Sequence, residues 1–95
     1  MTFKVFYLKN LHHRELMREG LPETFDEKKY VSLGHVSAPN KEVLYSKLQN
    51  LDGNTVGDII GIDMRSMMVG DVICDTEINT YFICDSWGWK QIEKE

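Results

Sequence analysis

The opening segment "TFKVFYL" constrains the fold most, because both of its faces are apolar. Phe3 and Tyr7 fall on one face and Phe6 and Leu8 on the other, and aromatic and β-branched residues dominate, as is typical of a strand. A strand with two apolar faces is expected in the interior of a sheet that is covered on both sides. The 42% of apolar residues is enough for one such core.

A helix and a second strand are predicted next. Asn10 offers an N-cap and Gly20 a C-terminal stop, so we expect a helix between them, with Leu16 and Met17 facing the core. A turn-rich loop follows. The segment "YVSLGHVSA" then alternates in character and predicts a strand with its odd-numbered positions on the apolar face.

A second helix is predicted after Asn40, which is a good N-cap. Leu44, Leu48 and Leu51 are spaced to form one apolar helix face. Residues 52–63 contain three glycines, so we expect at most a turn or two of helix there.

The C-terminal part predicts a β-hairpin. Two apolar runs, "DVICD" and "TYFICDS", are joined by a short polar link around Glu77 and Asn79. The segment "GWKQI" is expected to add a last short strand. The order β-α-β-α-β-β indicates an α+β fold, with a mostly antiparallel sheet and two helices packed on it.

The totals are consistent with a single domain spanning residues 1–95. No run of ~18 apolar residues exists, and the N-terminus lacks a signal-peptide pattern, so we expect a cytoplasmic protein without a membrane partner. Two cysteines are too few for a secreted disulfide scaffold. The net charge of −4 argues against nucleic acid as a partner.

Charge is distributed unevenly between the two halves of the chain. Residues 1–51 carry eight basic and six acidic side chains, a balance of +2, whereas residues 52–95 carry three basic and nine acidic ones, a balance of −6. A charge-selective partner is therefore expected to bind the acidic C-terminal half.

The segment "MRSMMVGDVI" has a structural and a chemical interpretation. In the structural one, Ser66 caps a helical turn at 67–69, Gly70 adopts a left-handed conformation, and Asp71 bonds nearby backbone N–H groups as a strand begins. This interpretation leaves Arg65 without a role. Arg65 is then either solvated, bound to an acidic group or stacked on an aromatic ring such as that of Trp87.

The chemical interpretation makes Ser66 a nucleophile. A serine nucleophile needs a base within hydrogen-bond reach, but His12, His13 and His35 are distant in sequence, and no G-x-S-x-G elbow is present. Adjacent His12 and His13 would point about 100° apart on a helix and could not easily share a metal. We therefore predict no catalytic residue, no metal site and no cofactor.

The cysteines are predicted to be reduced core residues. Cys74 and Cys84 lie on opposite arms of the predicted hairpin, and one natural register places them near each other on the same face. No C-x-x-C pair exists to suggest zinc or redox chemistry.

The stretch "MRSMMVGDVI", a short link and "YFICDSWGWKQI" resemble the signature of the YodL-like small-domain family over residues 64–92. The opening "FKVFYLKN" and "YVSLGHVSA" are similar to small proteins that carry the same ending. Such proteins occur in phages, plasmids and conjugative elements, often near anti-restriction genes. The resemblance implies a genomic context more than a mechanism. The segment "GNTVGDIIGI" departs from the pattern, since it is shorter and richer in glycine than the helix expected there.

The C-terminal end supplies the predicted binding residues: Arg65, Asp85, Trp87 and Trp89. If the segment is extended, the two tryptophans point to the same face. Tryptophan is enriched in binding hot spots but is also a large core residue, so we expect one indole to be buried against the sheet and the other to be partly exposed.

Three functions are compatible with the sequence. The first is a non-enzymatic accessory protein of a phage, plasmid or conjugative element that binds a host or element protein. The second is an acidic DNA mimic that inhibits a nuclease or restriction system, although 15 acidic against 11 basic residues is a thin excess for a dense carboxylate stripe. The third is a small hydrolase, for which no catalytic constellation is evident.

Overall fold

A computed structural model describes residues 1–49, 55–60 and 65–95 of the chain. Within these ranges the fold is α+β, as predicted, with two helices and eight strands. In chain order they are β1 (Thr2–Leu8), α1 (His13–Glu19), β2 (Thr24–Phe25), β3 (Tyr30–Ser37), α2 (Lys41–Lys47), β4 (Thr55–Val56), β5 (Ile59–Ile60), β6 (Val72–Asp75), β7 (Thr80–Asp85) and β8 (Gly88–Lys94).

Six of the strands form one mixed sheet in the order β2-β8-β7-β6-β1-β3. Every neighbouring pair is antiparallel except β2 and β8, which are parallel. The predicted strand order was incomplete. It lacked the two-residue β2, which lies in the segment predicted as a loop, and it made β8 shorter than its seven residues.

Strand β1 lies in the interior of the sheet, between β3 and β6, as its two apolar faces predicted. On one face Phe3 and Val5 belong to a buried cluster with Leu44 of α2 and Leu48, which directly follows α2. The opposite face is covered by α1 and the chain around β2. There Phe6 packs on Phe25, with ring centroids 4.9 Å apart. The burial of apolar area on both faces is the main stabilising contribution to this fold.

A β-bulge in β3 changes which residues face the two cores. The register against β1 shifts between Val5 and Phe6, where Gly34 and Ser32 are the successive partners. Tyr30 and Val36 are both even-numbered, yet the extra residue places them on opposite faces, and both are buried. The predicted alternation of β3, which placed its odd-numbered positions on one apolar face, was therefore wrong.

Helix α1 is shorter than predicted. A 3₁₀ turn occupies Asn10–His12, α1 begins at His13 without a side-chain cap, and the helix stops before Gly20, whose φ is +80°. Leu16 packs on the core, but Met17 is 88% exposed. Consecutive helical residues point about 100° apart, and a two-turn helix lying on a flat sheet buries only one row of side chains.

Helix α2 matches its prediction in its start and its buried face. The side-chain oxygen of Asn40 accepts a hydrogen bond from the backbone N–H of Val43 at 2.8 Å, so Asn40 is the N-cap. Leu44 and Leu48 are fully buried, and the predicted third core residue, Leu51, lies outside the described residues.

The glycine-rich segment forms a hairpin where it is described. Strands β4 and β5 pair across a tight turn that includes Gly57, with φ of +58°. The N–H of Asp58 donates to the carbonyl of His35 at 2.9 Å, which ties the hairpin to β3. The sequence set only an upper limit of a turn or two of helix for this segment, and residues 55–60 form strands instead, because the left-handed glycine reverses the chain.

Gly70 provides a test of the packing of α1 on the sheet. Its φ is +99°, and a Cβ at this position would lie 2.5 Å from Cδ2 of Leu16. We expect Gly70→Ala to lower the free energy of unfolding by about 2–3 kcal/mol, from left-handed strain and from displacement of the Leu16 side chain in its packing on the core. Gly20→Ala is the matched control, since φ is +80° there but no atom lies within 4 Å of the added Cβ. Urea denaturation should show a clearly smaller loss for the control, and equal losses would contradict the packing argument.

Candidate functional site

A buried carboxylate lies at the start of β6. The side chain of Asp71 is fully buried and accepts four hydrogen bonds. Two come from Arg65, whose Nη1 and Nη2 lie 2.6 and 2.7 Å from the two carboxylate oxygens, and two come from the backbone N–H groups of Leu8 and Met68, each at 2.9 Å. Bidentate pairing of this kind fixes both the position and the orientation of the guanidinium.

The other contacts of Arg65 are also internal. Its Cζ lies 4.3 Å from the ring centroid of Tyr7, and its Nη atoms donate to the carbonyls of Leu8 and Ser66 at 3.3 and 3.1 Å. Burial opposes its charge, but the hydrogen bonds and charge of Asp71 outweigh that effect and raise the pKa of Arg65. Arg65, which sequence interpretation left without a structural role, therefore has one.

Asp71 forms both hydrogen bonds of the turn that precedes β6. The N–H of Asp71 donates to the carbonyl of Met68 at 3.1 Å, and its carboxylate accepts from the N–H of Met68 in return. No helical turn forms over 67–69, so the prediction that Ser66 caps such a turn was wrong. The predictions for Gly70 and for the backbone bonds of Asp71 are confirmed.

Each of the three histidines contacts a different group. His12 lies 3.4 Å from the carboxylate of Glu15, and Nε2 of His13 lies 3.2 Å from the carbonyl of Leu8. His35 lies on β3, 3.6 Å from Asp58. The same described ranges contain no group of three His, Cys, Asp or Glu residues that could hold a metal ion.

The two cysteines lie on opposite faces of the sheet, contrary to the predicted register. Cys74 pairs with Tyr81, three residues before Cys84, and an odd separation along a strand reverses the face. Both thiols are buried and free. Burial raises the pKa of Cys74, and burial followed by the charge of Asp71 raises the pKa of Cys84 to about 11.

The two tryptophans have different environments. Trp87 lies in the two-residue turn between β7 and β8 and is 99% exposed, whereas Trp89 is half-buried against the core on the α2 side. The expectation that both indoles point to one face fails because Trp87 is not in a strand. Asp85 ends β7 and accepts a hydrogen bond from the N–H of Ser86 at 2.7 Å, which orders the turn. The structure thus places Arg65 in an internal ion pair and the other three predicted binding residues at this turn.

A cleft of about 270 Å³ opens between α2 and the β7–β8 turn. Tyr45 and Trp89 supply its aromatic surface, and the carboxylates of Glu42 and Asp85 also line it. Cys84 lies at its base, and no basic side chain is among the described residues that line it. Sequence analysis missed Glu42 and Tyr45, because their nearness to β7 depends on the packing of α2 over the sheet.

A second cleft, of about 230 Å³, lies between α1 and the chain around β2. One ion pair lies in it: Lys29 donates to Glu15 at 2.8 Å, and this bond lowers the pKa of Glu15. His12 contacts the same carboxylate. The carboxylates of Glu19, Asp26 and Glu95 also line this cleft, so it is acidic like the cleft beside Trp89, but it contains a basic side chain, that of Lys29.

Comparison with known proteins identifies no relative: no family model matches the chain, and neither a curated protein nor a solved structure matches it significantly. Within the described ranges, no helix is long and apolar enough to cross a membrane. The function therefore has to be inferred from the side chains themselves.

The buried thiols predict slow modification of the native protein. With a pKa of about 11, only about one Cys84 side chain in a thousand is a thiolate at pH 8. We expect a disulfide reagent to label both cysteines at least about tenfold more slowly in native protein than in denatured protein. Because the folded pKa lies above the unfolded one, the neutral Cys84 contributes stability that is lost as the pH rises from about 9 towards 11. Immediate labelling of both thiols would contradict this environment.

Proposed function

We propose that this chain is a non-enzymatic accessory protein that binds a partner protein through the tip of its β7–β8 hairpin. The observation that carries the proposal is Trp87, a large amphipathic side chain that is 99% exposed. Tryptophan is among the residues most enriched in interface hot spots, because one side chain buries a large area with few rotatable bonds.

The position of Trp87 favours binding over incidental exposure. The turn that carries it joins β7 and β8, which pair with each other up to Asp85 and Gly88, and the bond from the N–H of Ser86 to Asp85 orders it. Because the main chain of the turn is already ordered, binding at Trp87 costs little main-chain entropy, and the indole itself has only two rotatable side-chain bonds to fix. Asp85, on the same turn, supplies an exposed negative charge beside the indole.

Internal pairing of the reactive groups supports a non-enzymatic role. The guanidinium of Arg65 and the carboxylate of Asp71 bind each other and nearby main-chain groups. Burial raises the pKa of Cys74 and Cys84, which disfavours the nucleophilic thiolate.

Burial of acidic residues disfavours DNA mimicry. Asp71 and Asp75 are both buried, so two of the nine acidic residues in the C-terminal half cannot imitate exposed phosphates. The resemblance of residues 64–92 to the YodL-like family supports the more specific proposal that the protein is a cytoplasmic product of a phage, plasmid or conjugative element, with a host or element protein as its partner.

We expect Trp87→Ala to abolish partner binding without unfolding the protein, because the indole makes almost no contact with the rest of the chain. Met17→Ala is the matched control, since Met17 is a large apolar side chain of similar exposure on α1. Wild type and both variants should be immobilised and exposed to extract of the native host, and retained proteins should be compared by quantitative mass spectrometry.

The proposal predicts proteins that are retained by wild type and Met17→Ala but reduced at least about tenfold with Trp87→Ala. Circular dichroism and urea midpoints should be the same for the three proteins. Retention of the same proteins at the same level by folded Trp87→Ala would show that the tip is not the binding surface.

A further inference from the structure

The outer edge of β8 is only partly covered. β2 pairs with it at Glu93 and Lys94 alone, and there the N–H of Glu93 donates outwards to the carbonyl of Glu23 at 3.3 Å. Main-chain groups of alternate residues point to the same edge of a strand. The N–H and C=O groups of Trp89 and Gln91 therefore also point outwards, where they form no main-chain hydrogen bond with the described residues.

An open strand edge of this kind can accept another strand. The open part of β8, residues 88–92, continues in line with the place where β2 already pairs, so the geometry for adding a strand is present. Lys90 and Gln91 are exposed, which indicates that the edge is accessible. Proteins usually protect such edges, and partners that bind by strand addition exploit the ones that remain open.

The cleft between α2 and the β7–β8 turn lies beside this edge, and its carboxylates indicate that the occupant is positively charged. Trp89 belongs to both features, since its main chain is on the open edge and its indole lines the cleft with Tyr45. Glu42 and Asp85 place two carboxylates in the same cleft. A guanidinium or ammonium group is complementary to aromatic faces and carboxylates together. The neighbouring cation Lys41 does not line the cleft, because its Nζ lies 4.3 Å above the ring of Phe82.

We propose that the edge of β8 binds an extended basic segment of a protein partner, which pairs with Trp89 and Gln91 as an added strand and places an arginine or lysine side chain in the cleft of Tyr45, Trp89, Glu42 and Asp85. This inference rests on the proposed protein-binding function and specifies the chemistry of the partner. A second copy of the chain fits less well, since its own β8–cleft region would bring further carboxylates to an acidic site.

A synthetic peptide tests the proposal directly. The probe is an acetylated and amidated heptapeptide of alternating threonine and arginine, which favours an extended conformation. One control replaces each arginine by citrulline, which removes the charge and keeps the shape. A second control carries N-methyl groups on its main chain, which block strand pairing and keep the charge.

Amide hydrogen exchange measured by NMR is the readout. In the free protein we expect the amides of Trp89 and Gln91 to exchange quickly and those of Lys90 and Ile92, which face β7, to be protected. Saturating arginine peptide should slow exchange at Trp89 and Gln91 at least about tenfold. Both control peptides should bind at least about tenfold more weakly. Protection of Trp89 and Gln91 in the free protein, or equal binding of the citrulline peptide, would overturn the proposal.

Charge-removing variants locate the cation. We expect Glu42→Gln and Asp85→Asn each to weaken peptide binding about three- to tenfold, because both residues line the cleft. In each variant the amide has the same size as the carboxylate that it replaces, so only the charge is lost. Glu19→Gln is the control, since it removes an exposed carboxylate on α1, away from this cleft. Equal weakening by all three variants would indicate general charge attraction and would contradict a specific site.

The outcomes separate this inference from the proposed function. If the peptide fails to bind but Trp87→Ala still abolishes partner retention, the tip is a binding surface and the strand-addition inference is wrong. If the peptide binds as predicted but Trp87→Ala leaves partner retention unchanged, the edge is a site and the tip is not the anchor.

Discussion

The ion pair between Arg65 and Asp71 connects parts of the chain that are far apart in sequence. Its carboxylate binds the N–H of Leu8 at the end of β1, and its guanidinium lies over Tyr7 of the same strand. The main chain beside it is tied to β7, because the N–H of Cys84 donates to the carbonyl of Asp71 at 2.8 Å. A carboxylate with no exposure to water is tolerated only when its charge and its lone pairs are satisfied, so these contacts depend on one another.

This arrangement relates the buried pair to the exposed surface. Tyr7, Asp71, Cys84 and Trp89 occupy neighbouring positions across successive strands, as the pairing of Phe6 with Val72, of Val72 with Ile83 and of Cys84 with Trp89 requires. The proposed binding turn begins at Ser86, two residues beyond Cys84. The pair therefore holds the base of the β7–β8 hairpin, while Trp87 and the edge of β8 remain free to meet a partner.

Local signals predicted much of the fold. The two apolar faces of β1 correctly placed it in the interior, Asn40 marked the start of α2, and Gly70 has the left-handed backbone expected of it. Each depends on residues close in sequence, where side-chain type and backbone conformation are directly linked. The central hairpin of β6 and β7 was predicted for the same reason.

Features that depend on distant parts of the chain were missed. The parallel pairing of β2 with β8 joins segments about seventy residues apart, and nothing near Thr24 signals it. The bulge in β3 changed which of its residues face each core. The register of β6 against β7 differs from the expected one and places Cys74 and Cys84 on opposite faces of the sheet. Asp71, the partner of Arg65, is only six residues away, but its carboxylate was expected to bind backbone N–H groups alone. Composition does not reveal which polar side chains become buried and must therefore pair.

A double-mutant cycle on the ion pair tests the central structural claim most directly. Arg65→Met, Asp71→Asn and the double variant should be compared with wild type by urea denaturation. The account predicts that Arg65→Met loses about 3–5 kcal/mol, because it leaves the fully buried carboxylate of Asp71 without its cation. Asp71→Asn should lose less, about 2–3 kcal/mol, because the side chain of Arg65 is 29% exposed and water can hydrate part of its charge. The double variant should lose less than the sum of the two, by about 2 kcal/mol or more. Losses that add to within about 0.5 kcal/mol would mean that the two side chains act independently and would contradict the account.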